Sequence, residues 1–191
     1  SLPGLFACGE VVWGLHGANR MRGNALTECV VFGRIAGRHA AHYALTHPLS
    51  LPNPKGTPKE LSHRSSSAKG RLRELGRSIK EIAWRCAGVV RSEGELKEGL
   101  PELTDLEREL ETTVPQTVAE RRLKEELSSA LFVLKGVLLT SLQRRESRGA
   151  FIREDFPQQD DLNWRKNSCF TYKGKEVAEI TFPPPSQRRY P

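Results

Sequence analysis

The residues with the most chemistry to offer lie within the first thirty positions. Glu10 follows Gly9, Arg20 closes the string His16-Gly17-Ala18-Asn19-Arg20, and Asn24-Ala25-Leu26 opens an apolar, helix-periodic stretch. A carboxylate at such a place can accept hydrogen bonds from hydroxyls, and a guanidinium can grip a carboxylate with two parallel N–H donors. Amides at a helix N-terminus favour partial negative charge. His16 reads as a loop histidine satisfied by hydrogen bonding, and Trp13 reads as packing. Any strand–loop–helix unit could show this spacing, so spacing alone names no reaction. The chain has no GxGxxG, no phosphate-binding GxxxxGK, no GxSxG and no HExxH motif.

The elements that must position these residues follow from periodicity. Leu5-Phe6-Ala7-Cys8, closed by Gly9, predicts a short buried strand. A loop with glycines at 14, 17 and 23 comes next, and Asn24 is placed to cap a helix running to about Leu45. Its apolar face would be Leu26, Val30, Val31, Ile35 and Ala41. Gly33 and Gly37 each cost a helix about 1 kcal/mol, which suggests close approach to another backbone.

Residues 48–60 hold four prolines and read as an extended linker. Residues 61–148 carry three one-sided stripes: Leu72, Leu75, Ile79, Ile82, Cys86 and Val89; Leu96, Leu100, Leu103, Leu106 and Leu110; and Leu123, Leu127, Leu131, Leu134, Leu138 and Leu142. They predict an antiparallel three-helix bundle whose stripes are simply core, with Pro101 expected to start or kink the second helix. In the tail, 149–191, Phe170 to Phe182 with Gly174 at its turn predicts a small hairpin. The fold class is therefore mainly α, between an N-terminal strand–loop–helix (1–47) and a hairpin tail.

Composition narrows the function classes. The chain has 191 residues, 37% of them hydrophobic, and a net charge of +7. A core is expected, and no stretch reaches the roughly 18–20 apolar residues that span a bilayer. The start, Ser1-Leu-Pro-Gly, has no secretory leader pattern and no Met, which suggests that the chain begins inside a longer gene product or follows processing. Cys8, Cys29, Cys86 and Cys169 fit no metal-ligand or disulfide framework and read as reduced thiols, so no metal is expected and the location reads as intracellular. Ten basic residues stand against three acids between Lys55 and Arg91, and eight acids against two bases between Glu93 and Glu111. Two oppositely charged helices packing side by side explain this better than nucleic-acid binding, because the basic run has one aromatic, Trp84, and no recognition motif.

The residues taken as a string say more. Gly4-Leu-Phe-Ala-Cys-Gly-Glu-Val-Val-Trp-Gly-Leu-His-Gly-Ala-Asn-Arg-Met-Arg-Gly-Asn-Ala-Leu-Thr-Glu-Cys-Val-Val-Phe-Gly-Arg-Ile-Ala-Gly37 resembles the last strand–loop–helix of the FAD-binding domain in the fumarate reductase and succinate dehydrogenase flavoprotein subunits, with L-aspartate oxidase as a relative. Glu146-Ser-Arg-Gly-Ala150, Arg153-Glu-Asp-Phe-Pro157, Asp160-Asp161 and Asn163-Trp164 resemble the stretch after the last helix of that family's C-terminal domain.

The resemblance implies roles. Glu10 would hydrogen-bond the ribityl chain of FAD, the backbone at Ala25 and Leu26 would approach the flavin ring, and Arg20 would clamp a carboxylate of a dicarboxylate substrate. Hydride would then pass between flavin N5 and succinate or fumarate. Glu146 and Arg148 would form a buried pair docking the bundle on the FAD domain. Two positions depart from the family pattern: Arg22 stands where a small residue is usual, and Ala25 where serine is usual. The phosphate-binding glycines and the remaining active-site residues of the family have no counterpart in the chain. It is therefore expected to be the C-terminal part of a flavoprotein subunit, inactive alone. Its expected partners are the remainder of the flavoprotein and an iron–sulfur subunit, with a cytoplasmic location, peripheral to the inner membrane through partner subunits. Reductase and dehydrogenase stay open, as do an L-aspartate oxidase and a non-catalytic helical interaction module with a vestigial flavin segment.

Overall fold

A computed structural model describes residues 2–12, 15–47, 68–173 and 176–184. The expected linker at 48–60, Trp13 and the Gly174 turn lie outside the described residues. The described residues are mainly helical, with five α-helices and two small sheets. The chain divides into two units, Ser1–Lys59 and Glu60–Pro191.

In the first unit the dominant element is helix α1, Asn24–Thr46. The strand expected at Leu5–Cys8 is not formed. The backbone is extended at Cys8 (φ −154°, ψ 160°), but a strand needs a ladder partner and none exists among the described residues. The segment instead runs along α1 against its direction. The Phe6 ring meets Tyr43 edge-on at 6.0 Å near the end of the helix, and Gly9 lies on Cys29 near its start. A 3₁₀ turn at Gly9–Val11 follows. The N-cap of α1 is Gly23 rather than Asn24, with φ 92°, a left-handed conformation that glycine adopts without strain. The expected apolar face is largely uncovered among the described residues: Leu26 and Val30 are 78% and 73% exposed, and no described atom lies within 4 Å of a Cβ built on Gly33 or Gly37. An apolar stripe needs a second surface to bury it, and among the described residues this unit supplies only the thin segment at Phe6–Gly9.

The second unit holds the core. Helices α2 (Ala68–Ala87), α3 (Glu93–Thr112) and α4 (Val118–Gln143) pack on one another around Leu72, Leu75, Ile79, Ile82, Cys86, Leu96, Leu103, Leu110, Leu127, Leu131, Leu134 and Leu138. All twelve lie in the stripes read from the sequence. Val89 does not join them; α2 ends at Ala87, and Val89 is 64% exposed. Pro101 neither starts nor ends α3. The helix begins eight residues earlier, where the Ser92 hydroxyl accepts from the Glu95 amide, and runs through the proline. At Gly99 a Cβ would come within 2.8 Å of Cys86 Sγ and 3.0 Å of Leu138 Cδ1, so the three helices meet where only glycine fits. Helix α4 opens with a full capping box between Thr117 and Glu120. The charge blocks do pack together: Arg85 bonds Glu102 at 2.5 Å and lies 3.6 Å from Glu98, and Arg71 pairs with Glu109.

The tail is tied to this core by β1 (Val90–Arg91) and β2 (Ile152–Arg153), a short parallel pair. Helix α5 (Asp161–Trp164) follows, then the antiparallel strands β3 (Cys169–Lys173) and β4 (Glu176–Thr181). Phe170 of β3 meets Phe132 of α4 edge-on at 5.4 Å.

Candidate functional site

The four site residues read from the sequence all fall in the first unit, around the start of α1. Gly9 takes φ 77°, and a Cβ on it would lie 2.9 Å from Cys29 Sγ, so the 3₁₀ turn carrying Glu10 sits directly on the second turn of α1. Glu10 is exposed there. Arg20 is also exposed, on the loop that leads into Gly23. Ala25 is half-buried in the first turn of α1, and Leu26 beside it is open to solvent.

One polar contact organises this region. His16 Nε2 lies 2.6 Å from Glu28 Oε2, and Glu28 is only 6% exposed. The histidine is thus satisfied by a side-chain partner, in line with its reading as a structural loop residue. Sequence reasoning does not single out Glu28. The signal that could find it is scarcity: Glu10 and Glu28 are the only acids in the first 47 residues.

The start of α1 offers a positive pole with little to balance it. Gly23 has no side chain to cap the first amides, and the first turn contains no acidic residue. The helix macrodipole therefore favours an electron-rich group at this end. With an exposed carboxylate at Glu10 able to accept from hydroxyls, the donor set suits the ribityl and ring of a flavin.

The second motif builds something different. Glu146 is fully buried and receives Arg148 Nε and Nη2 at 2.9 Å each, the Asp160 amide at 3.0 Å, and Arg144 Nη1. Burial alone pushes the Glu146 carboxyl up, but these hydrogen bonds together outweigh it and hold the carboxyl below its ordinary value. Arg148 reaches on to Asp161 at 2.6 Å. Arg153, also fully buried, donates to the Ser141 and Arg144 carbonyls at the end of α4 and pairs with Asp155 at 2.5 Å. Arg91 does the same for α2, donating to Ala87 O at 3.1 Å and Gly88 O at 2.9 Å, and it bonds Ser141 Oγ at 2.9 Å. Burial, and next the charge of Arg153, lower the Arg91 pKa. These arginines satisfy the last carbonyls of two helices, which are otherwise orphaned. Sequence reading places the Glu146–Arg148 pair but not the capping arginines: Arg153 reaches carbonyls nine and twelve residues back, and Arg91 turns back on the end of α2 three and four residues away.

Comparison with known proteins identifies both segments. Residues 76–190 match the family described as fumarate reductase flavoprotein C-term, and residues 1–26 match an FAD binding domain. The chain is 36% identical over 159 residues to an L-aspartate oxidase of Pyrococcus horikoshii, covering 82% of this chain and 27% of the relative. It is 31% identical over 192 residues to a fumarate reductase flavoprotein subunit of Helicobacter pylori, covering 92% and 26%. Among solved structures it resembles a chain of the Mycobacterium smegmatis Sdh1 complex in the apo form, at 29% identity and TM-score 0.73, covering 98% of this chain and 34% of that one. The chain thus spans about a third or less of the length of these relatives.

Proposed function

The chain belongs to the fumarate reductase/succinate dehydrogenase flavoprotein family, and from that premise we propose that it is the C-terminal part of an FAD-dependent dicarboxylate oxidoreductase. The family is a family of FAD-dependent oxidoreductases; the reaction and the residue roles are our reading. The observation that carries it is the FAD-binding match over residues 1–26, which spans Glu10, Arg20, Ala25 and Leu26 together.

In this reading Glu10 accepts hydrogen bonds from the ribityl hydroxyls, and the first-turn amides at Ala25 and Leu26 stabilise negative charge beside the ring. The flavin, when bound, supplies the hydride acceptor or donor at N5. Arg20 holds a substrate carboxylate through its planar fork, which orients the reacting carbons. Helices α2–α4 serve as the antiparallel three-helix bundle of the C-terminal domain, with the hairpin tail after it, and Glu146 with Arg148 helps dock that domain. The exposed Leu26, Val30, Val31 and Ile35 support burial of α1 by the remainder of the flavoprotein. The chain alone is then inactive, and an iron–sulfur subunit is the electron partner. Among the described residues no helix is long and apolar enough to cross a membrane. In this reading any attachment to a membrane is peripheral, through partner subunits.

The test is made in the full-length flavoprotein. Arg20→Lys should lower kcat/KM for succinate and fumarate about ten- to a hundredfold with flavin content unchanged, since a point charge cannot replace the fork. Glu10→Gln should instead weaken flavin retention. Near-wild-type kcat/KM in Arg20→Lys would overturn the clamp. Oxidation of L-aspartate in place of succinate would move the substrate to the second reading, which the 36% identity to an L-aspartate oxidase favours.

A further inference from the structure

We propose that His16 is a positioning residue: its bond to the buried Glu28 fastens the loop carrying Arg20 to the second turn of α1. The proposal rests on the reading of Arg20 as the substrate clamp.

Three observations carry it. First, the geometry closes the loop at both ends. His16 is held at 2.6 Å by Glu28, and Gly23 is the N-cap of the same helix, so Arg20 stands four residues from one anchor and three from the other. A seven-residue span tethered twice to one rigid helix samples far fewer conformations than a free loop. Second, Arg20 has no hydrogen bond or ion pair of its own among the described residues, so within this unit its placement comes from the backbone beneath it. Third, Glu28 occupies an unusual place. It is the one buried residue of α1, a helix that leaves Leu26, Val30, Val31 and Ile35 exposed. A desolvated carboxylate is a poor way to gain stability and a good way to fix one geometry, because it tolerates only a donor in the right place.

Two kinds of measurement test this. On the chain itself, amide hydrogen exchange over residues 17–23 should speed up in His16→Ala. It should return toward the wild-type rate in His16→Gln, whose side-chain amide can still donate to Glu28. In the full-length flavoprotein, His16→Ala should lower kcat/KM for succinate about tenfold or more with flavin content unchanged. In an Arg20→Lys background the same substitution should add less than about twofold, because a residue that acts only through Arg20 has nothing left to position.

Unchanged exchange in His16→Ala overturns the proposal, and so does a full extra loss on top of Arg20→Lys, which would mean an independent structural effect. If His16→Ala fails to hold flavin, His16→Gln and Glu28→Gln carry the same cycle with Arg20→Lys, and multiplicative losses there are equally decisive. An Arg20→Lys enzyme with ordinary kinetics sinks the clamp reading instead, while the exchange rates still report whether His16 fastens the loop.

Discussion

The two units of this chain solve the problem of an amphipathic helix in opposite ways. In the second unit the apolar stripes of α2, α3 and α4 face one another, and Leu72, Leu96, Leu103 and Leu138 are fully buried. In the first unit α1 has a stripe of similar length, yet its apolar side chains lie open, and its one buried residue is a glutamate. The same physics governs both, since burial of apolar area stabilises only when a second surface is present. One unit carries its own core. The other carries a precise polar contact and an apolar surface left open among the described residues.

Substitutions that sharpen this contrast can be ranked by expected effect. Glu146→Ala should be the most damaging, about 3–5 kcal/mol, because it leaves Arg144 and Arg148 without their shared buried partner. Urea denaturation followed by circular dichroism measures it. The same site predicts an acid limit. The Glu146 carboxyl lies below its ordinary value in the folded chain. Its contribution is therefore present above the unfolded carboxylate pKa, about 4.3, and is lost as pH falls through the lower folded value. Denaturation midpoints in wild type should drop below about pH 4 more steeply than in Glu146→Ala. Parallel curves for the two proteins would break the assignment.

Leu131→Ala should cost about 2–5 kcal/mol, since Leu131 is 1% exposed at the centre of the core. A loss under about 1 kcal/mol would mean that α4 packs differently. Thr117→Ala removes one half of the capping box and should cost about 1 kcal/mol. Smallest of all is Val30→Ala, which in this chain should stay within about 0.5 kcal/mol because the side chain is already exposed. The comparison between the units predicts that this value grows in the full-length flavoprotein. If it stays flat there, α1 is not covered by the rest of that protein.

What is legible in the sequence divides along the same line. The twelve residues of the apolar core in α2, α3 and α4 can be read in advance because a helical stripe is a local pattern, repeated every three or four residues. Even Pro101 misleads only about where α3 starts, because the Ser92 cap lies outside the stripe. Leu5–Cys8 has the composition of a strand without being one, because a strand is defined by its partner and four apolar residues cannot announce one. Asn24 has the side chain of an N-cap, while the backbone gives the place to Gly23, whose fitness is conformational. The candidate site residues emerge through resemblance rather than periodicity. The His16–Glu28 contact stays hidden because its two members are twelve residues apart. Arg91 and Ser141 are fifty apart, beyond any sequence window.

The Arg153 side chain carries a consequence for the order in which the molecule can be completed during synthesis. It closes the end of α4 through the Ser141 and Arg144 carbonyls, and its strand pairs with Val90–Arg91 at the end of α2. A chain emerging from the ribosome therefore has all three core helices available some ten residues before the joint that finishes two of them. Until residue 153 appears, α4 ends in carbonyls that only water can satisfy, and β1, just after α2, lacks its parallel strand partner. Long-range closure of this kind is slow relative to helix formation. The joint itself is one short parallel pair and the two arginines within it, Arg91 and Arg153, each holding the end of a different helix.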